Sequence, residues 1–258
     1  MIVRKSAAEI ERMARAGAVV AETLQLIGEQ LRPGTTTADL DRMADEHIRS
    51  RGGVPTFKGY RGYPAAICVS PNEMIVHGIP GPYRLEEGDV VSVDVGVTLE
   101  GFVADSAYTF PVGDVSPEAE RLLETGQAAL AAAIEQARAG NRLSDISYAV
   151  QRVTEEAGFA VVRALVGHGV GRTMHEDPQI PNFGPPGRGP ILAPGMTLAI
   201  EPMINAGSSE IVVLDDRWSI VTEDGSLSAH FEHTVAITED EPRILTAATG
   251  RVEAGLLP

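Results

Sequence analysis

The segments Gly88-Asp-Val-Val-Ser-Val-Asp94 and Gly195-Met-Thr-Leu-Ala-Ile-Glu201 decide the fold, because they are alike although they lie in opposite halves of the chain. Each begins at a glycine, continues through an apolar, strand-like run and reaches an acidic residue six positions later. A carboxylate in such a strand is costly to bury unless it is paired or bound to a metal ion. The two segments therefore predict related strands that carry acids.

The segments that precede these two strands also correspond. Apolar residues recur at three- and four-residue steps, which predicts helices over 7–31 and 37–51 before the first strand and over 118–139 and 144–157 before the second. Ser6 followed by Glu9 resembles a capping box at the start of the first helix. We interpret the chain as two internal repeats, approximately 7–112 and 116–240, within a single domain over 1–258.

The remaining apolar runs predict strands, which cover 65–69, 90–99, 102–110, 160–166, 196–202, 219–222 and 231–237. Turn-rich loops join consecutive strands, so we expect the pairing to be largely antiparallel. Strands that are segregated from two helix pairs predict an α+β fold. The stretch 172–194 is rich in Pro and Gly and is predicted to be a loop, and loops of that length often form part of a site.

Charge and cysteine content exclude several classes of function. The net charge of −15 argues against nucleic acid or an anionic membrane as the main partner, because both need basic patches. Cys68 is the only cysteine, so neither an intramolecular disulfide nor a cysteine-based zinc site is possible. The first residues lack the features of a signal peptide, and no apolar run approaches the roughly 18 residues of a membrane span. We therefore expect a cytoplasmic protein.

Residues 90–105 predict a hairpin that contains two aspartates. If Leu99 and Glu100 are the central turn residues, Asp94 and Asp105 face each other, roughly 4.5–5.5 Å apart. Opposed carboxylates repel unless one is protonated or a cation lies between them. A turn centred one residue later would break this register, and a solvent-facing Asp94 is the alternative.

Three further residues complete a candidate metal site. His168 lies among glycines in Gly167-His-Gly-Val-Gly171, and Glu201 and Glu232 are flanked by apolar residues. Taken singly, each is more often a structural histidine or a surface charge. Taken together, the four carboxylates and the imidazole favour a pair of divalent cations; the set is Asp94, Asp105, His168, Glu201 and Glu232.

The order of these five residues and the motifs around them resemble the bacterial type I methionine aminopeptidases, which are M24 metallopeptidases that remove the initiator methionine. The matching motifs cover nearly the whole chain: Pro33-Gly-Thr-Thr-Thr37, Gly59-Tyr-Arg-Gly-Tyr-Pro64, His77-Gly-Ile-Pro80, Asp94-Val-Gly96, Gly167-His-Gly-Val-Gly-Arg172, His175-Glu176, Glu201-Pro-Met203 and Ser226-Leu-Ser-Ala-His-Phe-Glu-His-Thr234. The resemblance implies the pita-bread (creatinase/aminopeptidase) fold, a pseudo-two-fold antiparallel sheet covered by two helix pairs.

The resemblance also implies a role for each site residue. The five candidate ligands would hold two divalent ions (Co, Mn, Fe or Zn), with Asp105 and Glu232 bridging them. A metal-bridging hydroxide would attack the carbonyl of the N-terminal methionine, and Glu201 would accept the proton. His175 would stabilise the oxyanion, and His77 would contact the scissile amide or help the leaving amine.

A substrate pocket and a second cation site follow from the same resemblance. The methionine side chain would lie among Phe57, Tyr60, Tyr63, Cys68, Met174 and Trp218. Phe57 and Met174 depart from the familiar bacterial pattern, in which a Cys and a Phe are common, so they leave the pocket shape open. The resemblance further suggests one monovalent cation, held by Asn72, Met74 and Ser228.

The implied substrate is the N-terminal methionine of nascent polypeptides at the ribosome, preferably before a small second residue, and the enzyme would act as a monomer. Two alternatives stay open. The first is an Xaa-Pro aminopeptidase or dipeptidase of the same fold; such enzymes usually carry an additional N-terminal domain, whereas we expect the catalytic repeat to begin at once here. The second is a non-catalytic pita-bread binding protein, a kind of relative that loses the metal ligands.

Overall fold

The computed structural model describes residues 1–247, so the part of the predicted domain at 248–258 lies outside the described residues. The helices are α1 (Ala7–Gln30), α2 (Thr37–Ser50), α3 (Pro117–Gln136) and α4 (Leu143–Glu156), with a short 3-10 turn at Tyr60–Gly62. The strands are β1 (Val54–Pro55), β2 (Cys68–Pro71), β3 (Met74–Val76), β4 (Val90–Leu99), β5 (Phe102–Pro111), β6 (Ala160–Val161), β7 (Val166–Gly169), β8 (Glu176–Pro181), β9 (Thr197–Ile200), β10 (Met203–Asn205), β11 (Ile211–Val213), β12 (Ile220–Thr222), β13 (Ser228–His230), β14 (His233–Ala236) and β15 (Arg243–Ile244).

The four predicted helices are present and end one to three residues earlier than expected. The capping box that begins α1 is also present, with both the Ser6 and the Glu9 side chain bonded to backbone N–H groups. Helix α1 packs on β4 and β5, and α3 packs on α4. Met13, Leu24 and Ile27 of α1 are fully buried, and each contributes about 1.5–3 kcal/mol through the removal of apolar surface from water.

All recorded strand pairs within residues 1–247 are antiparallel. The sheet of the first half places β4 between β1 and β2 and adds β5, while the largest sheet of the second half has the order β15-β14-β9-β7-β8. Two three-stranded sheets, β13-β10-β6 and β11-β12-β3, complete the structure. The predicted α+β class with antiparallel sheets is confirmed. Among the helices described, none is long and apolar enough to cross a membrane.

The predicted register of the β4–β5 hairpin is wrong by one residue in the position of its turn. Glu100 and Gly101 are the central turn residues, with φ values of 50° and 78°, and Leu99 pairs with Phe102. Glycine takes a positive φ without steric cost, so the tight turn forms where Gly101 can occupy its second position. Asp105 therefore faces Gly96 rather than Asp94, and the two aspartates are diagonal neighbours on one face of the sheet.

The chain between 160 and 194 also differs from the prediction. The expected strand over 160–166 is divided into β6 and β7, and the predicted loop over 172–194 contains β8. Strand β8 pairs only with β7 and forms the edge of its sheet, a position in which its two prolines do not interrupt an inner ladder. An edge strand tolerates proline as a loop does, so the Pro-rich composition alone could not distinguish the two.

Candidate metal centre and adjoining cavity

Two breaks in the strands of the second half place a pair of glutamates opposite each other. Glu201 lies in the break between β9 and β10, and Glu232 lies in the break between β13 and β14. The register on one side pairs Ile200 with His233, and the register on the other side pairs Met203 with His230. Both registers continue into the gap in phase, so Glu201 and Glu232 face each other across it.

Hydrogen bonds between β5 and the segment of Glu232 join the two halves of the chain at this point. The backbone N–H of Asp105 donates to Thr234 Oγ1 at 2.9 Å, and that hydroxyl donates to the Asp105 carbonyl at 2.8 Å. The backbone N–H of Glu232 donates to the carbonyl of Ala107 at 2.9 Å. These bonds bring the aspartates of the first half against the glutamates of the second.

His168 presents one ring nitrogen to the carboxylates. Its Nδ1 bonds to the Gly169 carbonyl at 2.9 Å, which places the proton on Nδ1 and the lone pair on Nε2. Nε2 lies 3.5 Å from Glu201 Oε1 and 3.8 Å from Asp105 Oδ2. Burial, together with the neighbouring His175, lowers the pKa of His168 to about 4. The ring is therefore neutral at pH 7, as a metal ligand must be.

The glycines beside His168 allow two backbone segments to approach it. A Cβ added to Gly167 would lie 2.5 Å from the Ala199 carbonyl oxygen, and one added to Gly169 would lie 2.1 Å from that of Asp177. Glycines beside a histidine can admit either a ligand or a backbone segment. In the structure they admit the neighbouring strands β8 and β9.

The carboxylates form a buried cluster whose negative charge is not compensated. Ligand atoms of Asp105, His168 and Glu232 lie within 4.8 Å of one another. Asp94 Oδ1, Asp105 Oδ1 and Glu232 Oε1 are buried, and none of them has a hydrogen-bond partner in the described part of the chain. Burial, reinforced by mutual repulsion, raises the pKa of Asp105, Glu201 and Glu232 well above the usual range. Burial also raises the pKa of Asp94 to about 7.

These observations fit bound metal ions. Buried, unpaired carboxylates are expensive, and a divalent cation removes both the desolvation cost and the repulsion. Oxygen donors with an imidazole suit Mn, Fe, Co or Zn. The five predicted ligands therefore come together in one place, although their individual roles stay a prediction.

His77 and His175 lie on the wall of the cavity above this cluster. The rings of His175 and Tyr60 are stacked 5.5 Å apart, and the Tyr60 hydroxyl lies 2.8 Å from His175 Nδ1. The His77 ring stands edge-on to Trp218 at 6.4 Å. Burial lowers the pKa of His77 to about 4, and burial followed by the charge of Arg61 lowers the pKa of His175. Both rings are neutral at pH 7 and can donate one N–H each.

The cavity has a volume of about 300 Å³, with apolar walls and a charged floor. All six residues of the predicted methionine pocket line it: Phe57, Tyr60, Tyr63, Cys68, Met174 and Trp218. Tyr63 packs against two other aromatic residues of the wall. Its ring lies edge-on to those of Phe57 and Trp218, with centroid distances of 6.5 and 5.1 Å. Its hydroxyl donates to the Gly78 carbonyl at 2.8 Å, which satisfies the polar end of a buried side chain.

His230, for which the sequence predicts no role, also lines this cavity. Its Nε2 lies 3.8 Å from Glu201 Oε2 and 3.8 Å from Glu232 Oε2. Burial lowers the pKa of His230 to about 3. The signal that could have found it is its spacing, because residues two apart in an extended run share a face, and His230 precedes Glu232 by two.

The three residues of the suggested monovalent-cation site lie on neighbouring segments outside the cavity lining. The Ser228 backbone N–H donates to the Asn72 carbonyl at 2.9 Å. The Ser228 hydroxyl lies 2.9 Å from Asn205 Oδ1, and Met74 begins β3 two residues after Asn72. This cation site stays a prediction.

Comparison with known proteins places the geometry in context. Residues 11–239 match metallopeptidase family M24. The chain is 53% identical over 246 residues to the methionine aminopeptidase of Clostridium perfringens, covering 95% of this chain and 99% of the relative. Methionine aminopeptidase 1 of Bacillus subtilis is 50% identical over 246 residues, covering 95% and 99%. The crystal structure of the methionine aminopeptidase of Thermotoga maritima superposes with a TM-score of 0.94 at 46% identity, covering 95% of this chain and 99% of that one.

Proposed function

Since this chain belongs to metallopeptidase family M24, we propose that it is a methionine aminopeptidase, which hydrolyses the peptide bond after an N-terminal methionine. The resemblance and the pita-bread fold expected from the motifs are confirmed by the same comparisons. The observation that carries the function is the cluster of four carboxylates and His168 on the floor of a cavity with apolar walls. The floor provides the hydrolytic centre, and the walls receive the methionine side chain.

Asp94, Asp105, His168, Glu201 and Glu232 would hold two divalent ions. Asp105 and Glu232 would bridge the ions, a role supported by their position where the two halves of the chain meet. Ions bound there would supply Lewis acidity toward the scissile carbonyl and a water activated near neutral pH. The free α-amino group of the substrate would be a further donor to such a site, and this would limit the enzyme to the first peptide bond.

Three residues of this chain act on the reacting atoms in this proposal. Glu201 accepts the proton of the attacking water, a role that suits a carboxyl group whose pKa burial raises well above its usual range. When the Tyr60 hydroxyl donates to His175 Nδ1, the proton of the neutral ring is on Nε2, from which it donates to the oxyanion. His77, which also lines the cavity, contacts the scissile amide nitrogen and the leaving amine.

The apolar wall selects the first residue of the substrate. Methionine is unbranched and polarizable, so it packs well against aromatic rings and sulfur. Phe57, Tyr63 and Trp218 provide such rings, while Cys68 and Met174 provide sulfur. We expect a small second residue to be preferred and nascent chains in the cytoplasm to be the substrates of a monomeric enzyme.

A chelation and replacement assay tests the proposal. Protein freed of metal with EDTA should not hydrolyse Met-Ala-Ser, and added Mn²⁺ or Co²⁺ should restore hydrolysis. In a Met-Xaa series the rate should fall as Xaa becomes larger. An Xaa-Pro peptide serves as the matched control: if it were cleaved faster than Met-Ala-Ser, the chain would be an Xaa-Pro aminopeptidase. A protein that binds no divalent ion would instead be a non-catalytic binding protein of the same fold.

A further inference from the structure

His230 lies against the carboxylate cluster and has no role in the function proposed above. It is 2% exposed, and neither of its ring nitrogens has a hydrogen-bond partner among residues 1–247. A buried polar group left unpaired is destabilising, so native structures rarely retain one without a reason. The groups that surround the His230 ring must therefore include a partner that its nitrogens could bind.

The ring of His230 faces two carboxylates at the same time. Its Nε2 lies 3.8 Å from Glu201 Oε2 and 3.8 Å from Glu232 Oε2. His168 approaches the other oxygen of Glu201, with Nε2 at 3.5 Å from Oε1. The two imidazoles therefore flank the Glu201 carboxylate, and each faces a different oxygen.

The two histidines differ in what they can offer. Nδ1 of His168 is tied to the Gly169 carbonyl, so its Nε2 carries the lone pair that a metal ion needs. Nδ1 of His230 has no such carbonyl partner, which leaves the proton free to reside on Nε2. An imidazole carries at least one N–H in either protonation state. His230 is thus suited to donate to the carboxylates, where His168 is suited to bind a cation.

The backbone of His230 is fixed on both sides. Its N–H donates to Thr109 Oγ1 at 2.8 Å, and the same hydroxyl donates to the His230 carbonyl at 2.8 Å. Thr109 belongs to β5, the strand that carries Asp105. The backbone that carries the ring is therefore anchored to the scaffold of the site.

We propose that His230 is a positioning residue, whose Nε2–H donates to the outer oxygens of Glu201 and Glu232 and holds both carboxylates in the orientation that divalent ions require. The inference rests on the proposed function, because it presupposes ions at the cluster. A small rotation of either carboxylate brings the 3.8 Å separation within hydrogen-bond reach. Outer hydrogen-bond partners of this kind are worth about 10- to 100-fold in metal affinity.

Two substitutions separate a donor from a direct ligand and from a packing residue. His230→Gln keeps an N–H donor on a side chain of similar length, and His230→Leu keeps the volume without a polar atom. Calorimetric titration of the EDTA-treated full chain with Mn²⁺ measures the Kd of each variant and of the wild type. Thermal unfolding in EDTA measures the stability of the metal-free protein, and His230→Val replaces the leucine variant if that variant does not fold.

The expected result is a Kd that rises about 10- to 100-fold in His230→Leu and stays near the wild-type value in His230→Gln. The metal-free leucine variant should be at least as stable as the wild type, because it buries no unpaired nitrogen. An equal rise in Kd in both variants would overturn the proposal and show that His230 is a direct metal ligand. An unchanged Kd in His230→Leu would also overturn it and show that His230 only packs against its neighbours. If the wild type bound no Mn²⁺, the proposed metal centre itself would fail, and this inference with it.

Discussion

The ammonium group of Lys5 lies 2.6 Å from a carboxylate oxygen of Glu176, and the two side chains are only 3% and 12% exposed. The other oxygen of Glu176 accepts the backbone N–H groups of Arg172 and Thr173 at 2.8 and 3.3 Å. These bonds shape the turn that carries His175, the residue directly before Glu176. A contact more than a hundred positions away in the chain therefore fixes a proposed catalytic histidine.

Replacing Lys5 with methionine should destabilise the protein. Removal of one partner of a buried ion pair leaves an uncompensated charge, at a cost of about 3–5 kcal/mol, which urea unfolding measures. Adding Glu176→Gln should recover part of the loss, because the amide oxygen still accepts the two backbone N–H groups. Arg15→Met is the control, since the Arg15–Glu100 pair is about half exposed and should hardly matter. Equal effects of Lys5→Met and Arg15→Met would refute the structural role of the buried pair.

Substitution of Asp105 by asparagine should abolish metal binding and activity together. The same substitution removes a buried carboxyl group that is costly to ionise beside Glu232, so the metal-free variant should unfold at a higher temperature than the metal-free wild type. Calorimetry with Mn²⁺ and thermal unfolding in EDTA measure the two effects. Asp240→Asn, at an exposed position, serves as the control. A fully active Asp105→Asn enzyme would rule out the proposed bridging role.

Loss of the His175 ring should affect the reaction and spare the metal centre. His175→Ala should lower kcat by about 10²- to 10³-fold, the cost of a missing oxyanion donor, with little change in the Kd for Mn²⁺. Tyr60→Phe removes the hydroxyl on Nδ1 and keeps the stacked ring, so kcat should fall by less. If His175→Ala left kcat unchanged, His175 would have no part in the mechanism.

Local sequence patterns predicted the helices well because a capping box and apolar residues at helical spacing depend on neighbours along the chain. They placed the β4–β5 turn wrongly because Glu100 can be either the first or the second central residue of a turn. The observed turn has positive φ at both central positions, which favours the pair that contains Gly101 over the pair that contains Leu99. The opposition of Glu201 and Glu232 across two strand breaks depends on pairing between segments thirty residues apart. The sequence predicted no role for His230, because its spacing from Glu232 is a weak signal alone and its other neighbour, Glu201, comes from a distant segment.

The metal-free protein should lose stability as the pH rises above about 6.5. The pKa of Asp94 is raised to about 7 in the folded state, so the folded protein holds a proton above pH 6.5 that the unfolded chain has released. The pKa values of the other three carboxyl groups, Asp105, Glu201 and Glu232, are raised in the same direction. The free energy of unfolding therefore falls with pH, by up to about 1.4 kcal/mol per unit for each such proton. The buried histidines have lowered pKa values and give the opposite slope only below about pH 6.5, where the unfolded chain gains protons.

Thermal unfolding in EDTA across this range measures the effect, and Asp105→Asn should show a smaller slope than the wild type. Saturating Mn²⁺ should reverse the trend, because metal ions bind only the ionised carboxylates and bind them better as the pH rises. A metal-free protein whose stability rose with pH above 6.5 would contradict the assignment of raised pKa values to the cluster.

The contact between Gly96 and Phe57 offers a test of the pocket that leaves the metal centre intact. A Cβ added to Gly96 would lie 2.7 Å from the Phe57 ring, so Gly96→Ala should push that ring into the cavity. We expect KM for methionyl peptides to rise about tenfold or more, the effect of one methylene-sized change in an apolar pocket, while the Kd for Mn²⁺ stays unchanged. Gly81→Ala is the control, because its Cβ would meet only one atom, at 3.9 Å.

The double variant Gly96→Ala/Phe57→Leu decides whether the ring is the cause. Leucine is shorter than phenylalanine, so it frees the space that the new methyl group needs, and KM should return toward the wild-type value. If Gly96→Ala weakened Mn²⁺ binding as well, the strain would have passed to Asp105, which faces Gly96 across the hairpin. A KM that stayed high in the double variant would show that Phe57 does not form the wall that receives methionine.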